Sequence, residues 1–144
     1  MSIIIDANRS GDFSLPATYH APEILRRVRD KKLRVAVGGR LLKELMNTKL
    51  RDLIVEWNRS GRLRRIDDEI VDQEELAVNH MNISSDDSHI LALARVSNER
   101  FLYTQDGNLI NDFTNVRILR PKGKIVTPTT PNAAACSLFD RFGE

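Results

Sequence analysis

Residues 84–113 read SSDDSHILALARVSNERFLYTQDGNLINDF, and the punctuation of this stretch decides the fold class. Ser84 or Ser85 can cap a helix whose first turn carries Asp86 and Asp87, with Ile90, Leu91, Leu93, Ala94 and Val96 as its apolar face. After the polar turn Ser97-Asn98-Glu99-Arg100, the run Phe101-Leu102-Tyr103-Thr104 is too short for a helix and fits a buried strand. Gln105-Asp106-Gly107-Asn108 is a turn signal that stops it, and a short helix is expected over 108–113. Asp106 therefore falls at the carboxyl end of a strand, where open parallel sheets bind their ligands.

The same alternation extends to both sides. Ser2-Ile3-Ile4-Ile5 is a β-branched run without periodicity, as expected of a strand buried on both faces, and Asp6 ends it in a polar turn. Residues 12–21 read as loop, and Pro22 suits the first turn of a helix running Glu23 to Asp30. Leu33 to Val37 is a second strand, and Gly38-Gly39 lets the chain turn sharply into a helix from Arg40 to Asn47. That helix places Leu41, Leu42, Leu45 and Met46 inward with Glu44 among them, and a carboxylate so placed needs a partner or a metal. A further helix over 50–59 is followed by a short strand, Leu63 to Ile66, and by an acid-rich helix from about Asp72 to Met81. Asn115 to Leu119 reads as another strand, and Pro121-Lys122-Gly123 closes the core alternation. Ile125-Val126 forms an extended pair in the tail, and a last helix covers 133–142. Strands alternating with helices predict a three-layer α/β/α sandwich around a mainly parallel sheet, because parallel strands need helical crossovers. One domain is expected over 1–144, with 121–144 as a C-terminal extension packing on it.

Composition excludes several classes. No apolar run approaches a membrane span, and MSIIID lacks the basic flank of a secretory signal, so no membrane is expected. The lone Cys136 cannot form an internal disulfide, which fits a cytoplasmic setting. His20, His80 and Cys136 show no zinc spacing, and neither a dinucleotide fingerprint nor a phosphate-loop lysine motif is present. Charge is unevenly distributed. Between Arg26 and Arg65 lie 14 of the 22 Lys and Arg against 4 acids, whereas Asp67 to Asp87 holds 8 acids and no Lys or Arg. A basic half beside an acidic cluster suits a polyanionic substrate met at a metal site; solvated helix faces are the equal alternative.

Four acids stand where such a fold could join them: Asp6 after the first strand, Glu44 on the helix entered from the second, Asp87 at a helix start, and Asp106 after a later strand. Like charges brought together repel, and a hard divalent cation relieves that cost. All-oxygen ligands suit Mg²⁺ or Mn²⁺, as one ion or as a pair clamping both oxygens of a phosphodiester displacement. Each acid alone has an ordinary explanation as a cap, turn or strand-end residue; together, at successive strand-to-helix junctions, they favour a site.

These motifs resemble those of PIN-domain nucleases. The likeness runs through IIIDAN at 3–8, GGRLLKEL at 38–45, DDSHILALA at 86–94 and LYTQDGNLINDF at 102–113. Its most specific parts are the Asp-x-His-Ile-x-Ala-x-Ala pattern from Asp87 and the Thr-x-Asp at 104–106. The nearest likeness is to a bacterial PIN-like branch. The resemblance implies a PIN-like fold and a metal-dependent endoribonuclease acting on single-stranded or loop RNA. It assigns Asp6, Glu44, Asp87 and Asp106 as catalytic metal ligands, Asp112 as a further acid, and Asn8 and Thr104 as supporting residues. Asp86 is an adjacent candidate. Many relatives are toxins held by a small antitoxin protein, and many dimerise; Gly38-Gly39 departs from the Ser or Thr that many toxins carry before the second helix. Glu44 or Asp87 could also serve as the base for water.

Other residues are weighed beside these. Arg40 and Lys43 could contact RNA phosphate or form a solvated face. Arg26, Arg27, Arg29, Lys31, Lys32 and Arg34 form a denser basic run. His89 lies two residues from Asp87 on a helix and so off its face, which favours a structural or supporting role. Trp57 is expected in the core. A non-catalytic PIN-like module for RNA or protein binding is the competing function. A phosphatase would want a Lys and a Ser or Thr spaced around an Asp nucleophile, and nothing near Asp6 has that spacing.

Overall fold

In the computed structural model, which describes residues 1–142, five strands form one parallel sheet. They are β1 (Ser2–Ile5), β2 (Arg34–Val37), β3 (Leu63–Arg65), β4 (Phe101–Tyr103) and β5 (Lys124–Val126), in the order β3-β2-β1-β4-β5. The helices are α1 (Ala21–Arg29), α2 (Gly39–Met46), α3 (Arg51–Arg59), α4 (Asp68–Asn79), α5 (Ser88–Ser97), α6 (Gly107–Phe113) and α7 (Asn132–Phe142). They flank the sheet, and the chain is a three-layer α/β/α sandwich. No helix among the described residues is long and apolar enough to cross a membrane.

The central strand is the one the β-branched run foretold. Ile3, Ile4 and Ile5 have no solvent exposure. β1 pairs through Ser2 with Arg34 on one side and through Ile5 with Tyr103 on the other. Successive connections run from β1 outward to β2 and β3, then cross back over β1 to β4. The direction reverses between β1 and β4, and at such a switch point the loops leave the sheet in opposite directions and open a crevice at the carboxyl ends.

Two glycines fix the entry to α2. A Cβ on Gly38 would lie 2.6 Å from the Ile66 carbonyl oxygen, and Gly39 takes φ +60 with its would-be Cβ 2.7 Å from Val71 Cγ1. Gly39 N–H also donates to Asp68 Oδ1 at 2.9 Å. The backbone start of α2 is thus pressed onto the β3–α4 junction, which sets the position of everything α2 carries.

Several expected boundaries move. Asn115–Leu119 is not a strand. The Asn115 carbonyl accepts from Ile118 N and Leu119 N, both at 2.9 Å, while its side-chain Oδ1 accepts from Arg117 N at 2.9 Å. An Asn that satisfies its neighbours' amides locally competes with ladder pairing, so the apolar pair Ile118 and Leu119 is buried by a turn instead. The place beside β4 is taken by residues 124–126, so the stretch after residue 120 contributes a strand to the sheet as well as a packed helix. α4 starts at Asp68, four residues early, because the Asp67 carboxylate caps it by accepting from Glu69 N and Ile70 N. Residues 7–13, expected as a turn running into loop, form a 3₁₀ helix. α5 starts at Ser88, so Asp86 and Asp87 precede its first turn, and its burial extends over Ser88, His89 and Ala92 as well as the expected apolar face.

Candidate active site at the carboxyl end of the sheet

Asp6 leaves β1 at the switch point, 3% exposed. Its Oδ1 accepts from Asn8 N at 3.1 Å and its Oδ2 from the Thr104 hydroxyl at 2.7 Å. The same Thr104 Oγ1 accepts from Asp106 N at 3.1 Å. One fully buried hydroxyl therefore ties the ends of β1 and β4 together and orients the first acid against the last, which is the physical content of the Thr-x-Asp spacing. Asp106 is the N-cap of α6 through one oxygen, Oδ1, which accepts from Asn108 N and Leu109 N. Thr104→Val should cost about 1–3 kcal/mol, since it leaves the buried Asp6 charge without its hydroxyl donor. Urea denaturation compared with wild type measures this, and a change within error would mean that the hydroxyl bridge is not structural.

Asp87 behaves differently. It holds the N-cap position of α5, yet its carboxylate caps nothing and makes no hydrogen bond among the described residues; only its backbone is bonded, with the N–H donating to Ser85 Oγ at 3.3 Å. Burial, then the charges of Asp6, Asp106 and Glu44, push its carboxyl up to about 6. This half-buried, unpartnered carboxylate is the point at which the other three acids are felt together.

Glu44 corrects an expectation. Its side chain is 46% exposed and does not point into the core of α2. The partner it needed is His89, whose Nε2 lies 2.6 Å from Glu44 Oε1. Arg40 Nη2 stands 3.1 Å from His89 Nδ1. An arginine can only donate, so Nδ1 accepts and the ring proton sits on Nε2, where it is given to Glu44. Arg40 is in turn held by Glu75, with Nη2 to Oε2 at 2.6 Å, and Ser88 Oγ donates to the same oxygen at 2.8 Å. Burial opposes the Glu75 charge, but the bonds from Arg40 and Ser88 outweigh it and hold its carboxyl below the usual range. His89, 1% exposed, is the support that orients Glu44.

The remaining expected residues are distributed as follows. Asp112 is 2% exposed and accepts from Ser84 N and Ser85 N at 2.8–3.0 Å, which pins the loop leading to Asp87. Asp86 and Asn8 are exposed. Lys43 is exposed on α2, while Arg40 is committed to Glu75 and His89. In the basic run, Arg26 and Arg27 pair with Glu23, Arg27 also with Asp140, and Arg29 with Asp30. Trp57 is core, at 5% exposure. Sequence reasoning did not single out Glu75, Ser88 or Arg9. Arg9 bridges Asp12, in the segment after β1, and Gln105, in the turn after β4, and nothing in its local pattern marks it.

Among the described residues, no three His, Cys, Asp or Glu side chains are drawn together closely enough to hold a metal ion as they stand. The chemistry of the donor set nevertheless fits a hard divalent cation. It is all oxygen, and the mutual repulsion registered at Asp87 is what a bound cation would relieve. No protein-family model matches the sequence, and no curated protein or solved structure matches it either.

Proposed function

We propose that this chain is a PIN-like, Mg²⁺- or Mn²⁺-dependent endoribonuclease that hydrolyses phosphodiester bonds in single-stranded or loop RNA. The observation that carries the reading is Asp87, an N-cap carboxylate that caps nothing and is repelled by Asp6, Asp106 and Glu44 at the switch point of a parallel sheet. A structural acid would take the free amides of α5; one left uncapped within reach of the charges of three others suits a ligand. A cation held by Asp6, Glu44, Asp87 and Asp106 would stabilise charge on the phosphate oxygens and acidify an attacking water.

The chain's own residues account for the rest. Thr104 orients Asp6 and fixes the start of the Asp106 turn. His89, held by Arg40, aims Glu44. Asp87, with the weakest hold on its charge, is the group best suited to take the proton as water attacks phosphorus and the P–O bond to the leaving oxygen breaks. Lys43, exposed on α2 next to Glu44, is the candidate contact for backbone phosphate, and RNA binding through it should weaken with salt. The inhibitory antitoxin, the homodimer and the cytoplasmic setting enter the proposal only through the family resemblance and, for the last, the single cysteine.

The test incubates purified protein with labelled single-stranded RNA and DNA in Mg²⁺, Mn²⁺ or EDTA. Metal-dependent cleavage of RNA supports the reading, whereas RNA binding without cleavage in either metal would replace it with a non-catalytic module. His89→Ala should lower cleavage about 10–100-fold while raising the metal concentration for half-maximal rate, as expected when an orienting neighbour of a ligand is lost. A fall in rate with unchanged metal dependence would remove His89 from that role.

A further inference from the structure

The opposite end of the sheet carries a cluster for which the acids give no reason. α5 is closed by Asn98, whose left-handed φ of +61 turns the chain sharply into β4. Arg95 and Arg100 therefore stand on the two sides of one tight corner, and the loop over 115–121 folds across it. Between them lies a polar pocket of about 450 Å³ lined by Arg95, Arg100, Arg117 and Arg120, with Glu74 as its single carboxylate.

Two of the four guanidinium groups are fixed. Arg95 donates through Nε to Glu74 Oε2 at 2.6 Å and through Nη1 to the Ile118 carbonyl at 2.6 Å, which leaves its Nη2 without a partner among the described residues. Arg100 donates through Nε to the Pro121 carbonyl at 2.8 Å and through Nη1 to the carbonyls of Ala94 and Glu99. Arg117 and Arg120 are exposed, and their side chains make no hydrogen bond or ion pair among the described residues. Burial, and then the charge of Arg95, hold the Arg100 guanidinium below its ordinary value, so positive charge here is crowded and under-compensated. Clamping a loop needs only Arg95 and Arg100, and carbonyl oxygens do not neutralise them. Two more arginines at the rim have no structural task.

We infer that this pocket is a phosphate-binding site, in which the fixed Arg95 and Arg100 and the free Arg117 and Arg120 take a dianionic phosphate monoester. Guanidinium forks match tetrahedral oxyanions in pairs of hydrogen bonds, and four of them against one carboxylate suit a dianion better than a single carboxylate ligand. No aromatic ring lines the pocket, so recognition rests on the phosphate itself. The phosphate can belong to a small molecule or to the 5′ end of a nucleic acid. The inference does not rest on the nuclease reading, because the pocket lies at the amino ends of the strands.

The full chain in EDTA is titrated with inorganic phosphate at constant ionic strength, followed by calorimetry and by the arginine Nε–H resonances. Saturable binding is expected, with Arg117→Ala/Arg120→Ala weakening it about tenfold or more and Asp87→Asn leaving it unchanged. Far-UV circular dichroism confirms that the double variant, altered only at exposed positions, is folded. A parallel titration compares oligonucleotides with 5′-phosphate and 5′-hydroxyl ends. Preference for the phosphorylated end assigns the site to nucleic-acid termini, and binding of inorganic phosphate with no preference between the ends assigns it to small phosphates; both support the inference. Absence of saturable phosphate binding, or equal binding by the double variant, overturns it.

Discussion

Asp87→Asn should reduce RNA cleavage by about 10³-fold, as expected for loss of a charged group acting on the transition state, while making the metal-free protein more stable than wild type near neutral pH. Both effects have one cause. The Asp87 carboxyl is raised from an ordinary 3.8 to about 6 by burial and by Asp6, Asp106 and Glu44. The folded state therefore binds this proton more tightly than the unfolded state. The charged form costs stability above the folded value, and the cost fades as pH falls through 6 and disappears below 3.8. The full shift corresponds to about 3 kcal/mol, which solvent screening of a half-buried side chain reduces to about 1 kcal/mol. In EDTA the variant should thus melt about 4 °C higher near neutral pH, with the difference lost at about pH 4. Calorimetry across that range checks the prediction. A variant destabilised at every pH would show that Asp87 is a structural acid, and the proposed site would lose its centre.

Gly123→Ala should be the most damaging small substitution outside the site, at about 3 kcal/mol. A Cβ there would stand 2.0 and 2.1 Å from Phe113 Cδ1 and Cε1 and 2.8 Å from the Phe113 carbonyl oxygen. The ring has no solvent exposure into which it could move, and Gly123 N–H already donates to that carbonyl at 2.8 Å. Relief therefore requires residue 123 to withdraw, which pulls β5 off the edge of β4. Equilibrium unfolding in urea measures the cost. A loss under about 0.5 kcal/mol would mean that the approach of β5 to α6 is looser than described.

Much of the architecture could be read from residue order, because the informative segments are locally self-consistent. SIIID can only be a doubly covered strand ending in an acid, and Thr104-x-Asp106 follows a strand and opens a helix whichever way it is examined. What failed was decided by competition. Asn115-Val116-Arg117-Ile118-Leu119 has strand composition, but the Asn115 side chain and carbonyl close the segment into a turn before any neighbour can pair with it. Helical periodicity places Glu44 inward because it records only which residues line a face. It does not record that a histidine from another helix, 45 residues away, waits beside the exposed carboxylate. The Asp6, Asp87 and Asp106 positions were legible as junction acids. The Arg40, Glu75 and Ser88 tether behind His89 was not, because its members share no motif and meet only through the packing of α2, α4 and α5.

The strand order has a consequence for how this chain comes into being. Of the five strands, the one made earliest is the middle of the finished sheet, and its partner on the far side follows almost a hundred residues later, when Thr104 reaches Asp6. Until then a growing polypeptide displays a bare isoleucine ribbon along one flank and has no bridge between its first and last acids. Whatever chemistry the acids perform therefore waits until β4 has been made and has paired with β1.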